Sequence, residues 1–195
     1  SNLRGRGVDF SEVRSYQPGD DIRAMDWRVT ARNQKPHIKV FREERERPIM
    51  IVCDLRSSMF FGTQYAFKSV LAADIASLFA WSALNNGDRI GALLFDNDRE
   101  IDIRPKPGRK QVMHVLHELA EFNQQQTPIN TAKPSSRLAE MCRHVRQITR
   151  PGSTVYFISD WQGFDQDCER QLHKISKSND VVALNIFDAF EENIL

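Results

Sequence analysis

The sequence predicts an α/β domain: a doubly wound, mostly parallel sheet with helices on both faces, preceded by an extended N-terminal wrap. Three observations predict it. Short apolar runs rich in β-branched residues recur at residues 48–53, 89–95, 154–159 and 181–187, the pattern of strands buried on both faces. Helix-like segments of ten to twenty residues separate most of them, which calls for βαβ crossovers and parallel pairing. The first and third runs lead directly into Asp54 and Asp160, at the strand end where open α/β sheets place their ligands.

Each element follows in order. In residues 1–47, Gly5, Gly7 and the tract Pro18-Gly19-Asp20-Asp21 are turn formers, residues 38–41 read as a strand, and residues 42–47 carry mixed charge. A segment this polar cannot build a core of its own, so it is expected to pack on the α/β domain, with units at 1–47 and 48–195. Residues 49–53 form the first buried strand. Residues 65–84 have apolar side chains at helical spacing (Phe67, Val70, Leu71, Ile75, Leu78, Phe79) and close at Asn86-Gly87, a helix stop. Residues 89–95 make the second strand, Asp96-Asn97-Asp98 a turn, and residues 100–104 an edge hairpin partner. Residues 105–108 break the chain before a helix at 110–122. A polar loop, 123–134, leads to a helix at 135–148, with Ser135 and Ser136 to cap it and Pro151-Gly152 to stop it. The strand 154–159, a helix at 166–177 and the strand 181–187 complete the alternation.

Composition bounds the function. A chain of 195 residues suffices for one domain with an extension, and 41% hydrophobic with 27% charged residues suits a soluble globular protein. A net charge of +1 argues for neither nucleic acid nor anionic membrane. The N-terminal arginines alternate with acids, which ranks nucleic-acid binding last. Cys53, Cys142 and Cys168 are odd in number and form no C-x-x-C pair, so they read as reduced thiols in a cytoplasmic protein. No secretory signal is visible. The longest apolar stretch, 66–84, is interrupted by Lys68 and Asp74 and does not suit a bilayer span. No membrane contact is expected from these residues. The ending at 191–195, directly after a strand, suggests a fragment of a longer chain, which leaves membrane attachment of the whole open.

The chemistry concentrates in Asp54-Leu55-Arg56-Ser57-Ser58. An acid and hydroxyls in one loop are hard oxygen donors that suit Mg²⁺ or Mn²⁺. Asp160 leaves a neighbouring strand at the same sheet edge, and the polar loop before Ser135 offers Thr131, with Thr127 second. Asp54, Ser58, Thr131 and Asp160 would line a cup for one divalent cation. Arg56 opposes this: its guanidinium stays protonated and cannot ligate. A unit charge about 4 Å from a dication costs on the order of 8 kcal/mol at an effective dielectric near 20. Either Arg56 swings outward and the cation binds, or Arg56 takes the cation's place and pairs with Asp54 or Asp160; the second is expected. The partner-facing set is then Asp54, Arg56, Ser58, Thr131, Asp160 and Trp161. His114 and His117 read as surface residues, Asp96 and Asp98 as turn residues, and Trp27 and Trp81 as packing residues. There is no nucleophile elbow, no Cys with a His partner at the site and no glycine-rich nucleotide loop. Aspartyl phosphoryl transfer would want an acid where Arg56 stands. The chain therefore reads as non-enzymatic.

Two resemblances sharpen this. The Asp54 loop resembles the metal-ion-dependent adhesion site of von Willebrand factor A domains, Asp-x-Ser-x-Ser, with Arg56 at the middle hydroxyl position. Residues 13–27, Val-Arg-Ser-Tyr-Gln-Pro-Gly-Asp-Asp-Ile-Arg-Ala-Met-Asp-Trp, followed by Ala31-Arg32, resemble the signature of the bacterial domain-of-unknown-function 58 family. That signature reads approximately R-x-Y-x-P-G-D-x-x-R-x-I-D-W, then a small residue and Arg. Asp188 to Leu195 resembles the family's D-x-x-E-x-x-L segment, with one extra residue. The resemblance implies a von Willebrand factor A-like fold, with the Pro-Gly-Asp-Asp turn, a buried Asp26-Trp27 anchor and a salt-bridging Arg32 as structural staples. It also implies a protein–protein interaction module with a degenerate adhesion site and no cofactor. The partner it suggests is a MoxR-type AAA+ ATPase in assembly or chaperone-like work. The alternatives are an intact Mg²⁺- or Mn²⁺-dependent adhesion site, or a Mg²⁺-dependent hydrolase at Asp54 and Asp160.

Overall fold

A computed structural model describes residues 8–43, 46–63, 66–124 and 134–191, and the chain divides into two compact units, residues 1–45 and 46–195. The smaller unit pairs β1 (Val8–Ser15) antiparallel with β2 (His37–Glu43), with the short helix α1 (Trp27–Asn33) between them. Its turns are held by the signature residues. Arg14 donates twice to Asp20, at 2.7 and 2.9 Å, and Gly19 takes φ +106°, a value that suits glycine alone. Asp26 accepts from the Arg28 and Val29 amides and so caps α1.

Three expectations for this segment change. It has its own strand, helix and strand, of which only the last was legible: β1 mixes charged and apolar residues, and α1 has no buried face. Trp27 is 68% exposed, so it is not a buried anchor. Arg32 is exposed and makes no ion pair among the described residues. The segment's polarity still tells: of its described side chains, Ile38 alone is buried.

The larger unit is a five-stranded sheet in the order β5-β4-β3-β6-β7. It comprises β3 (Pro48–Asp54), β4 (Arg89–Phe95), β5 (Glu100–Lys106), β6 (Thr154–Ser159) and β7 (Asp180–Asn185). All pairings are parallel except β4 with the edge strand β5. Alternate residues of β3 enter opposite layers. Ile49, Ile51 and Cys53 pack with α2 (Lys68–Asn85) and α3 (Arg109–Gln124); Met50 and Val52 pack with α4 (Pro134–Ile148) and α5 (Gln166–Ser176). The fold class is therefore as the sequence predicts, a mostly parallel α/β sheet covered on both faces.

Boundaries shift where local chemistry competes. Helix α2 starts at Lys68 and buries Ala72, Ala76, Ala80 and Ala83, while Phe67, Val70, Leu71 and Leu78 are exposed. Small residues let the helix sit close to the sheet, and of the large apolar residues expected on its buried face Ile75 and Phe79 pack partly against the core. Helix α4 begins at Pro134, a residue suited to the first helical turn, so Ser135 and Ser136 lie inside it rather than capping it. Strand β5 continues through Pro105, which an edge strand tolerates. All three cysteines are free and buried. Among the described residues, no helix is long and apolar enough to cross a membrane.

Candidate functional site

The parallel order brings the carboxyl ends of β3, β6 and β7 to one edge, and there a chain of alternating charges is buried. Strand β3 ends at Asp54, 0% exposed, and the next turn returns Arg56, 2% exposed, onto it. Arg56 Nη2 donates to Asp54 Oδ2 at 2.7 Å, Nε donates to Oδ1 at 2.9 Å, and the Arg56 amide donates to Oδ1 at 3.0 Å. Ser159 Oγ, on β6, donates to Asp54 Oδ2 at 2.6 Å. Arg56 also reaches across the edge to the Gln162 carbonyl at 3.1 Å and lies 3.7 Å from Asp160 Oδ1. Lys68, the first residue of α2 and 5% exposed, contacts Asp160 Oδ2 at 3.1 Å and Glu191 Oε1 at 2.8 Å. The sequence Asp54, Arg56, Asp160, Lys68, Glu191 thus alternates in sign from the floor of the site to its surface.

The electrostatics hold both cations charged. Burial alone would lower the pKa of Arg56, but hydrogen bonding to Asp54 and the charges of Asp54 and Asp160 outweigh it, and the net direction is upward. Lys68 follows the same balance: burial lowers it, and Glu191 and Asp160 more than reverse that. Buried charges without partners are strongly disfavoured, so each member depends on the next.

Trp161 adds backbone strain. Its φ is +56°, an outlier for a bulky residue. Its amide donates to Ser159 Oγ at 3.0 Å and its indole Nε1 to the Leu184 carbonyl at 3.2 Å. Phe157 and Phe164 rings lie 5.1 and 5.8 Å from its ring. The strained turn sets Asp160 over Arg56. Ser57 is tied to the β4–β5 turn by its amide, which donates to Asn97 Oδ1 at 2.7 Å. Beyond β7, Asp188 accepts from the Thr63 hydroxyl at 2.6 Å and from its amide at 2.9 Å.

Of the residues expected at the site, Asp54, Arg56, Asp160 and Trp161 are brought together, and Ser58 lies in the 3₁₀ turn after them. Thr131 and Thr127 lie outside the described residues. Lys68, Ser159 and Glu191 were not anticipated. Lys68 had one visible signal, a cation at the start of a largely apolar stretch; Glu191 is the acid of the D-x-x-E resemblance that starts at Asp188, and Ser159 had no signal beyond adjacency to Asp160. His114 and His117 are exposed, and Asp96 serves the turn by accepting from the Asp98 and Arg99 amides.

The adhesion-site likeness implies a divalent cation here. Ser58 Oγ is buried with no hydrogen-bond partner, which is how an oxygen ligand lacking its ion would look. Arg56 nonetheless defeats the fit. It donates to both Asp54 oxygens, and Lys68 sits on Asp160, so two cationic side chains already neutralise the carboxylates that a dication would need. No group of three or more His, Cys, Asp or Glu residues suited to a metal occurs among the described residues.

Comparison with known proteins extends the geometry. Residues 12–194 match the model of the family described as "Protein of unknown function DUF58". The uncharacterized protein Rv1480 of Mycobacterium tuberculosis is 31% identical over 186 residues, 95% of this chain and 57% of that protein. The chain thus spans little more than half the length of that relative. Among solved structures, an aerotolerance-related membrane protein from Bacteroides fragilis superposes with a TM-score of 0.55 at 16% identity, over 72% of this chain and 67% of that one. The conserved hypothetical protein BatB from Bacteroides thetaiotaomicron gives 0.53 at 15%, over 71% and 66%. Likeness at such identities carries the fold alone.

Proposed function

Because the chain belongs to the DUF58 family and its larger unit has a von Willebrand factor A-like fold, we propose that it is a non-enzymatic protein-interaction module whose binding edge is held by ion pairs instead of a cation. One observation carries the reading. Five phenylalanines, Phe61, Phe67, Phe164, Phe187 and Phe190, are exposed on segments that follow the carboxyl ends of β3, β6 and β7. Phe67 and Phe190 adjoin Lys68 and Glu191 in the chain, the Phe61 carbonyl accepts from the Lys68 amide at 2.9 Å, and the Phe164 ring lies 5.8 Å from that of Trp161. Exposed aromatics that are costly in water and mounted on loops fixed from beneath are what a protein interface requires.

Asp54 and Arg56 are the floor in this reading. They are too buried to touch a partner and act by holding two loops in register. Trp161, Asp160 and Glu191 lie above them, and the phenylalanines supply the contact. The network offers no unengaged carboxylate to activate water or attack phosphorus, so a hydrolase reading has no group to carry it. A cytoplasmic location belongs to the same proposal.

The family resemblance makes a MoxR-type AAA+ ATPase the first partner to test. Binding of the nucleotide-free ATPase to the wild type and to a Phe164→Asp/Phe190→Asp variant is to be measured in chelator and in Mg²⁺. The expected result is chelator-insensitive binding that the double variant weakens at least tenfold, about 1.4 kcal/mol. Binding abolished by chelator would restore the metal-bridged mode, and binding indifferent to the phenylalanines would displace the interface from this edge.

A further inference from the structure

A second site lies at the opposite end of the sheet. A cavity of about 530 Å³ opens between the amino ends of β3 and β4, the far end of β5 and the last turn of α4. It is lined by Arg89, Arg104, Lys106 and Arg150 against one carboxylate, Asp102. That imbalance stands out in a chain of net charge +1.

These cations are uncommitted. Arg104, Lys106 and Arg150 make no side-chain hydrogen bond or ion pair among the described residues. Arg89 has one distant contact, 3.8 Å to exposed Glu46, and its Nε is buried with no acceptor. Thr149 Oγ1, also in the lining, is likewise buried without a partner. Buried donors left unpaired are disfavoured unless something accepts from them. The carboxyl end of α4 attracts cations, which accounts for Arg150, and Arg104 and Lys106 are exposed on the edge strand β5, where charge also blocks edge pairing; Arg89 Nε and Thr149 Oγ1, buried without partners, are the groups that call for an acceptor.

The backbone fixes these positions. Ile90 pairs with Lys106 and Ala92 with Ile103, so Arg104 and Pro105 together oppose the single residue Gly91. Such a bulge re-aims the side chains around it. A Cβ on Gly91 would stand 2.6 Å from the Ile103 carbonyl and 2.8 Å from the Pro105 ring, so the bulge depends on glycine there. Pro48, Met50, Pro105 and Ile148 add apolar wall.

We propose that this cavity binds a small organic phosphate of mononucleotide size. Guanidinium forks and a hydroxyl are the donor set that recognises phosphate oxygens. The volume falls within the range of small-molecule sites and exceeds what inorganic phosphate would fill, and the apolar wall suits an organic moiety. The site is independent of the interaction edge, which lies at the other ends of the same strands.

The test is calorimetric titration of AMP, adenosine and inorganic phosphate into the wild type and into Arg104→Gln and Arg89→Gln variants. AMP is expected to bind, with adenosine and phosphate each at least tenfold weaker and both variants losing at least tenfold in AMP affinity. Circular dichroism of the variants separates loss of binding from loss of fold. No AMP binding at millimolar concentration, AMP affinity unchanged in the folded variants, or equal affinity for AMP and phosphate would each overturn the proposal.

Discussion

Replacing Arg56 by methionine keeps most of the side chain's length and removes its charge and donors. Asp54, fully buried, then retains only Ser159 Oγ and the residue-56 amide as donors. With oppositely charged atoms 2.7 Å apart, attraction within the native pair is about 6 kcal/mol at an effective dielectric near 20. Dehydrating the two ions costs several kcal/mol each, so the pair as a unit contributes little net stability. Removing one member is different: it leaves a buried charge unpaired and costs about 3–5 kcal/mol. At about 2–4 °C per kcal/mol for a unit of this size, the melting transition falls by roughly 6–20 °C. Asp54→Leu combined with Arg56→Met removes both charges and is expected within about 1 kcal/mol of the wild type, or above it. Urea unfolding of the wild type, both single variants and the double variant, followed by Trp81 and Trp161 fluorescence, gives the coupling directly. A loss below about 1 kcal/mol in Arg56→Met, or a double variant as unstable as the sum of the singles, would show that Asp54 and Arg56 are not a coupled buried pair.

Four further outcomes are expected. Gly91→Ala forces its Cβ against backbone at Ile103 and should cost about 1–3 kcal/mol in urea unfolding, as overpacking does; a neutral result would contradict the bulge geometry. Asp26→Ala removes the cap of α1 and should cost about 1 kcal/mol, read as faster amide exchange confined to Trp27–Asn33. Hydrogen bonds from Thr63 hold the Asp188 carboxyl below its ordinary value of 3.8. A lowered carboxylate stabilises above its unfolded pKa and loses that contribution as pH falls through the folded one. The Thr63 amide resonance should therefore titrate with a midpoint below pH 3.8; a midpoint at or above 3.8 would contradict the tether. Burial raises the pKa of Cys53, Cys142 and Cys168, so thiol reagents should label them only on unfolding; rapid labelling of the folded protein would contradict their burial.

The strands and crossovers were legible because β3, β4 and β6 are apolar runs with few competing signals, and Asp54 and Asp160 marked the sheet edge at which the buried ion pairs gather. Arg56 was legible as an anomaly, since a cation in an oxygen-donor loop must either leave or replace the ion. Lys68 was harder. Its partners Asp160 and Glu191 lie 92 and 123 residues away in sequence, and only the fold brings a helix start against two strand ends. The alanine stripe of α2 was hidden because alanines carry little hydrophobic signal, although they decide how closely a helix approaches a sheet. In the N-terminal unit, β1 and α1 bury too little for periodicity to reveal them. The basic cavity was invisible because Arg89, Arg104 and Arg150 converge through a bulge and a helix end, features without a pattern in sequence.

An edge held by ion pairs is tested most directly by calorimetric titration of Mn²⁺ into the wild type and into Arg56→Ser, which rebuilds Asp-x-Ser-x-Ser. Silence in the wild type and binding in the variant, with the orphaned Ser58 hydroxyl gaining a partner, is the predicted result. Mn²⁺ binding to the wild type at physiological concentration would show that Arg56 leaves its pocket, and would contradict an edge held by ion pairs.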